Sequence, residues 1–254
     1  MAGSPVQSIH AARSEERMAD EGRIKTEIVD GVGLLTVCGR TARNTVTEGM
    51  WTALAGALEK LDKDDAVSLL VLTGGGHEAF GTDPVEDDPE YQEHREAAGP
   101  DGADAGKQAC AALARFAKPV LARIRGECIG AGLALALAAD IRIAAEDSGF
   151  AMTARRAAEL DVERALVAAV GPSHARFLLL TGERVEAREA LRLGLVNRVF
   201  PDAELSDQVA DLVRQINDQD AAALRRAKLT VAKFSYPEHA GHAEHAGDTD
   251  TQGG

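Results

Sequence analysis

Residues 118–150 read KPVLARIRGECIGAGLALALAADIRIAAEDSGF, from Lys118 to Phe150. The apolar run Val120 to Ile124 leads into Gly126. Gly130-Ala131-Gly132 then opens a small-residue stretch from Leu133 to Ala139 that predicts a helix. Ile141 to Ala144 is a second short apolar strand. The order is strand, glycine turn, helix, strand. Glycines at a helix mouth let backbone approach a ligand closely, and the first N–H groups of a helix lack intrahelical partners and can hold an anion. An oxyanion hole can be built this way. The same small residues also suit a packed turn in which helix and strand merely come close. On this stretch alone both readings stand.

Upstream, residues 1–22 are polar, mixed in charge and without periodicity, and read as a flexible N-terminal arm. Ile24–Val29 and Val32–Val37 predict two strands, and Asp30-Gly31 between them is a hairpin turn signal. Val46, Met50, Leu54, Leu58 and Leu61 recur at helical spacing beside Trp51. A strand over Ser68–Leu72 runs into Thr73-Gly74-Gly75-Gly76, a plain turn that lacks the GK[ST] or GxGxxG of a phosphate cradle. Residues 84–106 are rich in acids and read as a solvated surface segment. A helix follows over Lys107–Phe116.

Downstream, Ala151 to Val170 is helical in composition and is broken by Gly171-Pro172, after which Ser173 can cap a helix over Ala175–Leu180. Glu186–Leu193 predicts a helix stopped by Gly194, Val196–Phe200 a strand, and Leu205–Ile216 and Ala221–Phe234 two further helices. The tail 236–254 reads as disordered. Its His239, His242 and His245 have no carboxylate or cysteine framework, so no metal site is expected.

The chain of 254 residues is long enough for a sizeable core. Its net charge of −13 argues against nucleic acid or an anionic membrane as the main partner. Three unpatterned cysteines, no apolar run near the ~20 residues of a membrane span and a polar N-terminus together predict a cytoplasmic protein.

Lys118-Pro119-Val120, Gly126, Gly130-Ala131-Gly132 and Asp140-Ile141-Arg142-Ile143-Ala144 resemble the core of the enoyl-CoA hydratase/isomerase (crotonase) family. Four more blocks fit in order: Arg43-Asn44-Thr45-Val46, Leu72 to Phe80, Leu178 to Pro201, and Ala223 to Lys228. The resemblance spans about residues 24–234. It implies an α/β fold, a crotonase-like spiral of repeated ββα units over 23–200, and a helical C-terminal region over 201–235. It further implies a homotrimer or hexamer and an acyl-CoA thioester as partner. Coenzyme A then arrives as part of the substrate, with no separate cofactor.

The resemblance also assigns residues. Two backbone N–H groups would hold the thioester oxygen, those of Thr82 and Ala131. The first rests on pairing Phe80-Gly81-Thr82-Asp83 with the family loop through a two-residue deletion. Without that gap Pro84, which has no N–H, takes the position. Arg43 and Lys228 would meet CoA phosphates, and the backbone near Thr45 the adenine. The two glutamates of family hydratases fall on Ala134 and Ala154, so water addition is not expected, each such acid–base group being worth about 10²- to 10⁴-fold. The proton acceptor that replaces them is expected among Glu127, Glu159, Asp161 and Glu163, with Asp161 and Glu127 the named candidates. Asp161 is equally placed to cap the helix that follows it. Three functions remain open: an acyl-CoA isomerase, hydrolase or lyase; an acyl-CoA-binding protein that kept the fold and lost the chemistry; or a structural role.

Overall fold

The computed structural model describes residues 22–84 and 102–235. The expected arm up to residue 21, most of the acidic segment and the histidine-bearing tail lie outside the described residues. β1 (Arg23–Val29) and β2 (Val32–Cys38) form the antiparallel hairpin predicted from Asp30-Gly31. Both turn residues take positive φ, 49° and 81°, the pair of values a two-residue type I′ turn needs. β3 (Leu69–Gly74), β5 (Val120–Ile124), β7 (Ile141–Ala145) and β10 (Arg198–Phe200) continue from β2 in parallel. The resulting sheet has six strands in the order β1-β2-β3-β5-β7-β10.

Parallel strands covered on both faces read as near-continuous apolar runs, as Leu69 to Leu72 and Val120 to Ile124 do. Alternate residues serve different cores. Leu35, Leu70, Leu72, Ala122 and Ala144 face the main core, while Leu34, Leu69, Val71, Leu121 and Ile143 face a second one. The second core is closed by Leu205, Val209 and Val213 of the helix Asp202–Asn217.

A second sheet has four short strands: β4 (Ala79–Gly81), β6 (Glu127–Ile129), β8 (Gly149–Ala151) and β9 (Val185–Glu186), in that order. The first three are parallel and β9 runs antiparallel to β8. The helices are α1 (Glu48–Lys63), α2 (Gly102–Ala114), α3 (Ala131–Ala138), α4 (Ala154–Leu160), α5 (Glu163–Thr181), α6 (Ala187–Leu193), α7 (Asp202–Asn217) and α8 (Ala221–Ser235).

The repeat is now visible. In β3-β4-α2, β5-β6-α3 and β7-β8-α4, the first strand joins the large sheet, the second joins the small sheet, and a helix returns the chain. This is the ββα spiral the motifs implied. Gly171, at φ 75° and ψ 163°, leaves helical geometry inside α5 and Pro172 opens its second half, a position where proline's missing N–H is no loss. α6 stops at Gly194 with φ 85°, as expected. The helical stretch after residue 151 is divided: α4 ends at Leu160 with Asp161 as its C-cap, and α5 begins at Glu163.

Candidate active site

β4, β6 and β8 lie side by side and parallel, so their C-terminal ends open along one edge of the small sheet. Ligands in parallel α/β sheets bind at such ends. Thr82-Asp83 follow β4, Gly130-Ala131 follow β6, and Thr153, the N-cap of α4, follows β8. α3 is buried along its whole length, as an all-apolar helix must be. Two glycines let it start where it does. Gly130 takes φ 54°, and any side chain there would overlap the Asp83 carboxylate. A side chain at Gly132 would run into the carbonyl of Gly81. The β4 end and the first turn of α3 therefore meet backbone to backbone.

The Ala131 N–H has no side-chain cap from Gly130. It donates instead to Asp83 Oδ1 at 3.0 Å. The same oxygen accepts from Arg156 Nε of α4 at 2.7 Å, and Arg156 Nη1 donates to Glu159 Oε2 at 3.2 Å. The side chains of Asp83 and Arg156 are 27% and 21% exposed. Burial pushes the Asp83 carboxyl above its ordinary value, and the nearby Glu159 charge adds to this. Arg156 and the Ala131 N–H pull the other way without cancelling it.

Thr82 is stitched to the segment before α1. Its Oγ1 donates to the Arg43 carbonyl at 3.0 Å, its carbonyl accepts from Val46 N–H at 3.0 Å, and its own N–H faces the Asn44 carbonyl at 3.4 Å. Asn44 is buried at φ 50°. Its Nδ2 donates to the carbonyls of Gly75 and Ala79, at 2.7 and 2.6 Å, while its Oδ1 accepts from Gly39 N–H at 3.0 Å. One side chain thus ties the glycine turn, β4 and the 39–46 loop together. Thr45 is buried and Arg43 is exposed beside it.

The structure therefore gathers Arg43, Thr45, Thr82 and Ala131 around the β4 end. Lys228 is held by Asp140, Nζ to Oδ2 at 2.7 Å, and by the Lys118 carbonyl at 3.0 Å. Asp140 Oδ2 also accepts from Val120 N–H at 2.8 Å. Glu127 lies in β6 and pairs with Arg184 at 2.8 Å, in a half-exposed cluster with Glu186. Asp161 is exposed and left-handed at φ 55°. It closes the helix before it, donating its N–H to Ala158, and does not cap the helix after it, whose N-cap is Val162. Ala134 is fully buried in α3, and Ala154 is exposed at the start of α4.

Asp83 and Arg156 are the site residues the sequence reading did not single out. Asp83 carried a signal as the last residue of the Gly81-Thr82-Asp83 match. Arg156 carried none, since one of two adjacent arginines on a short helix looks like solvated surface. Cys110 and Cys128 offer no nucleophile, because burial pushes the first thiol up to about 12 and the second well above its ordinary value. Among the described residues no group of three or more His, Cys, Asp or Glu side chains could hold a metal ion, and no helix is long and apolar enough to cross a membrane.

Comparison with known proteins agrees with this architecture. The family model described as enoyl-CoA hydratase/isomerase matches residues 27–248. A protein of Mycobacterium avium named "Probable enoyl-CoA hydratase echA17" is 33% identical over 211 residues, covering 82% of this chain and 80% of its own. The hydroxycinnamoyl-CoA hydratase-lyase of Pseudomonas fluorescens is 29% identical over 227 residues, covering 82% and 78%. The crystal structure of a monofunctional enoyl CoA isomerase from M. smegmatis superposes with a TM-score of 0.70 at 29% identity, covering 84% of this chain and 93% of that one. With most of its length matched by the family model and its ββα spiral in place, the chain belongs to the enoyl-CoA hydratase/isomerase family.

Proposed function

We propose that this protein binds an acyl-CoA thioester and performs an isomerase, hydrolase or lyase reaction through an enolate-like anion, rather than standard enoyl-CoA hydration. The observation that carries this reading is the Ala131 N–H. It already holds an anionic oxygen, that of Asp83, at 3.0 Å. A backbone donor that holds a carboxylate oxygen at a buried helix start suits a thioester oxygen on which charge develops. Thr82 is the second donor in this reading; its long bond to Asn44 is the one that would give way. Exposed Arg43 meets the CoA phosphates, and the backbone near Thr45 the adenine. Lys228 would reach the phosphates only by leaving Asp140. Standard hydration is disfavoured because Ala134 and Ala154 offer methyl groups where family resemblance places glutamates.

A second reading, an acyl-CoA-binding protein without turnover, is favoured by those same two methyl groups. Calorimetry with acetyl-, butanoyl- and crotonyl-CoA tests the shared part. Arg43→Glu should weaken binding about tenfold, roughly 1.4 kcal/mol, without lowering the melting temperature, since the side chain is exposed. Unchanged affinity would count against the phosphate role. A turnover screen with β,γ- and α,β-enoyl-CoA and β-diketo-CoA substrates then separates the two readings, since binding without turnover supports the second. For the proton acceptor the sequence offers Asp161 and Glu127, and the structure adds Asp83.

A further inference from the structure

Of the described acids near the motifs, Asp83 is the one bonded to the predicted oxyanion donor. Glu127 is committed to Arg184, and Asp161 ends α4 in an exposed left-handed turn. Asp83 Oδ1 rests on the Ala131 N–H, its other oxygen lies over Gly130, and Arg156 fixes it from α4. Resting on the acyl-CoA reading above, we propose that Asp83 is the proton acceptor and donor of this site, held on the Ala131 N–H until the thioester oxygen replaces it there.

The chemistry follows from the exchange of partners. The α-carbon of a thioester is two bonds from its carbonyl oxygen. A carboxylate displaced from the donor by that oxygen is left beside the α-carbon, still near Arg156. The α C–H bond breaks, the proton moves to Asp83, and the electron pair passes into the thioester to give an enolate held by Ala131 N–H. Return of the proton to the γ-carbon of a β,γ-unsaturated chain gives the α,β-isomer and restores the carboxylate. Atoms and electrons balance with no co-reactant. The burial that raises the Asp83 carboxyl also makes it a better proton acceptor than an exposed aspartate. Arg156 is then a positioning residue, and its second partner Glu159 keeps it paired when Asp83 moves.

The test uses the full chain and butanoyl-CoA in D2O. Calorimetry measures binding, and proton NMR measures exchange of the α-protons. Asp83→Asn keeps an oxygen to accept from Ala131 N–H and Arg156 but cannot take the proton. Expected are affinity within about threefold of the parent and exchange slowed by about 100-fold or more, with loss of the rising limb of its pH profile. Asp83→Glu, which keeps the carboxylate, should recover part of the exchange. Exchange in the Asn variant within threefold of the parent overturns the proposal, as does a parent that binds but does not exchange. Lost exchange accompanied by equal loss of affinity or a lowered melting temperature also overturns it and leaves Asp83 as a helix cap. A parent that does not bind butanoyl-CoA or the other thioesters refutes the acyl-CoA reading itself.

Discussion

Asp83 is where opposing effects meet on one side chain. A carboxylate at a helix start beside a guanidinium gains from both. Burial and the Glu159 charge nevertheless dominate, and the folded-state carboxyl is raised. A raised acid binds its proton more tightly folded than unfolded, so its stabilising contribution is complete below the unfolded value of 3.8 and is lost as pH rises through the folded value. The chain carries 41 acids, which mask this in a single melting curve. The difference from Asp83→Asn isolates it. The variant should gain on the parent as pH rises from the unfolded value through the folded one and then hold a constant lead, as read by paired thermal melts at successive pH values. A lead that shrinks with rising pH would mean that Arg156, not burial, governs the site.

At the scale of elements, the site depends on the β4 end touching the first turn of α3. Gly132→Ala tests this. The added methyl would collide with the Gly81 carbonyl, which is backbone and cannot rotate away. The strand and helix must part, at an expected cost of about 3 kcal/mol by analogy with overpacked cores, and the Asp83–Ala131 bond should go with them. Denaturant unfolding measures the first. A loss under about 1 kcal/mol would show that the contact is soft.

The long elements were legible in the sequence because apolar period and turn chemistry act locally. Asp30-Gly31, the α1 stripe ending at Leu61, the run Val120–Ile124 and the stop at Gly194 all declared themselves. β4, β6 and β8 did not, since each has three residues, too few for alternation to show. The meeting of Asp83 with Ala131 spans 48 residues and that of Arg156 with Asp83 spans 73. Such contacts are set by strand order, which no local pattern encodes. Family resemblance supplied Ala131 and Thr82 but said nothing of what fills the space between them.

At the scale of the whole molecule, the exposed large apolar side chains among the described residues fall on α5, α6 and α8, apart from Ile28 of β1. Phe177 and Leu180 of α5 are 48% and 81% exposed, and Leu229 and Val231 of α8 are 56% and 62% exposed. Leu191 of α6 joins them at 42%. α7 adds little to this surface, because its Val209 and Val213 cover the large sheet and are buried. Most of what remains lies on α5, α6 and α8, and family resemblance implies a homotrimer or hexamer. Single exposed apolar residues are normal, but several on neighbouring helices mark an interaction surface. We propose a trimer built through α5, α6 and α8. Light scattering at micromolar concentration should give the mass of three chains, or of six if trimers pair. Phe177→Asp with Leu180→Asp should shift that mass to one chain while leaving the circular dichroism of the fold unchanged, since neither residue belongs to the buried core. A parent chain that is already monomeric refutes the assembly, and a double variant that stays trimeric refutes the role of α5.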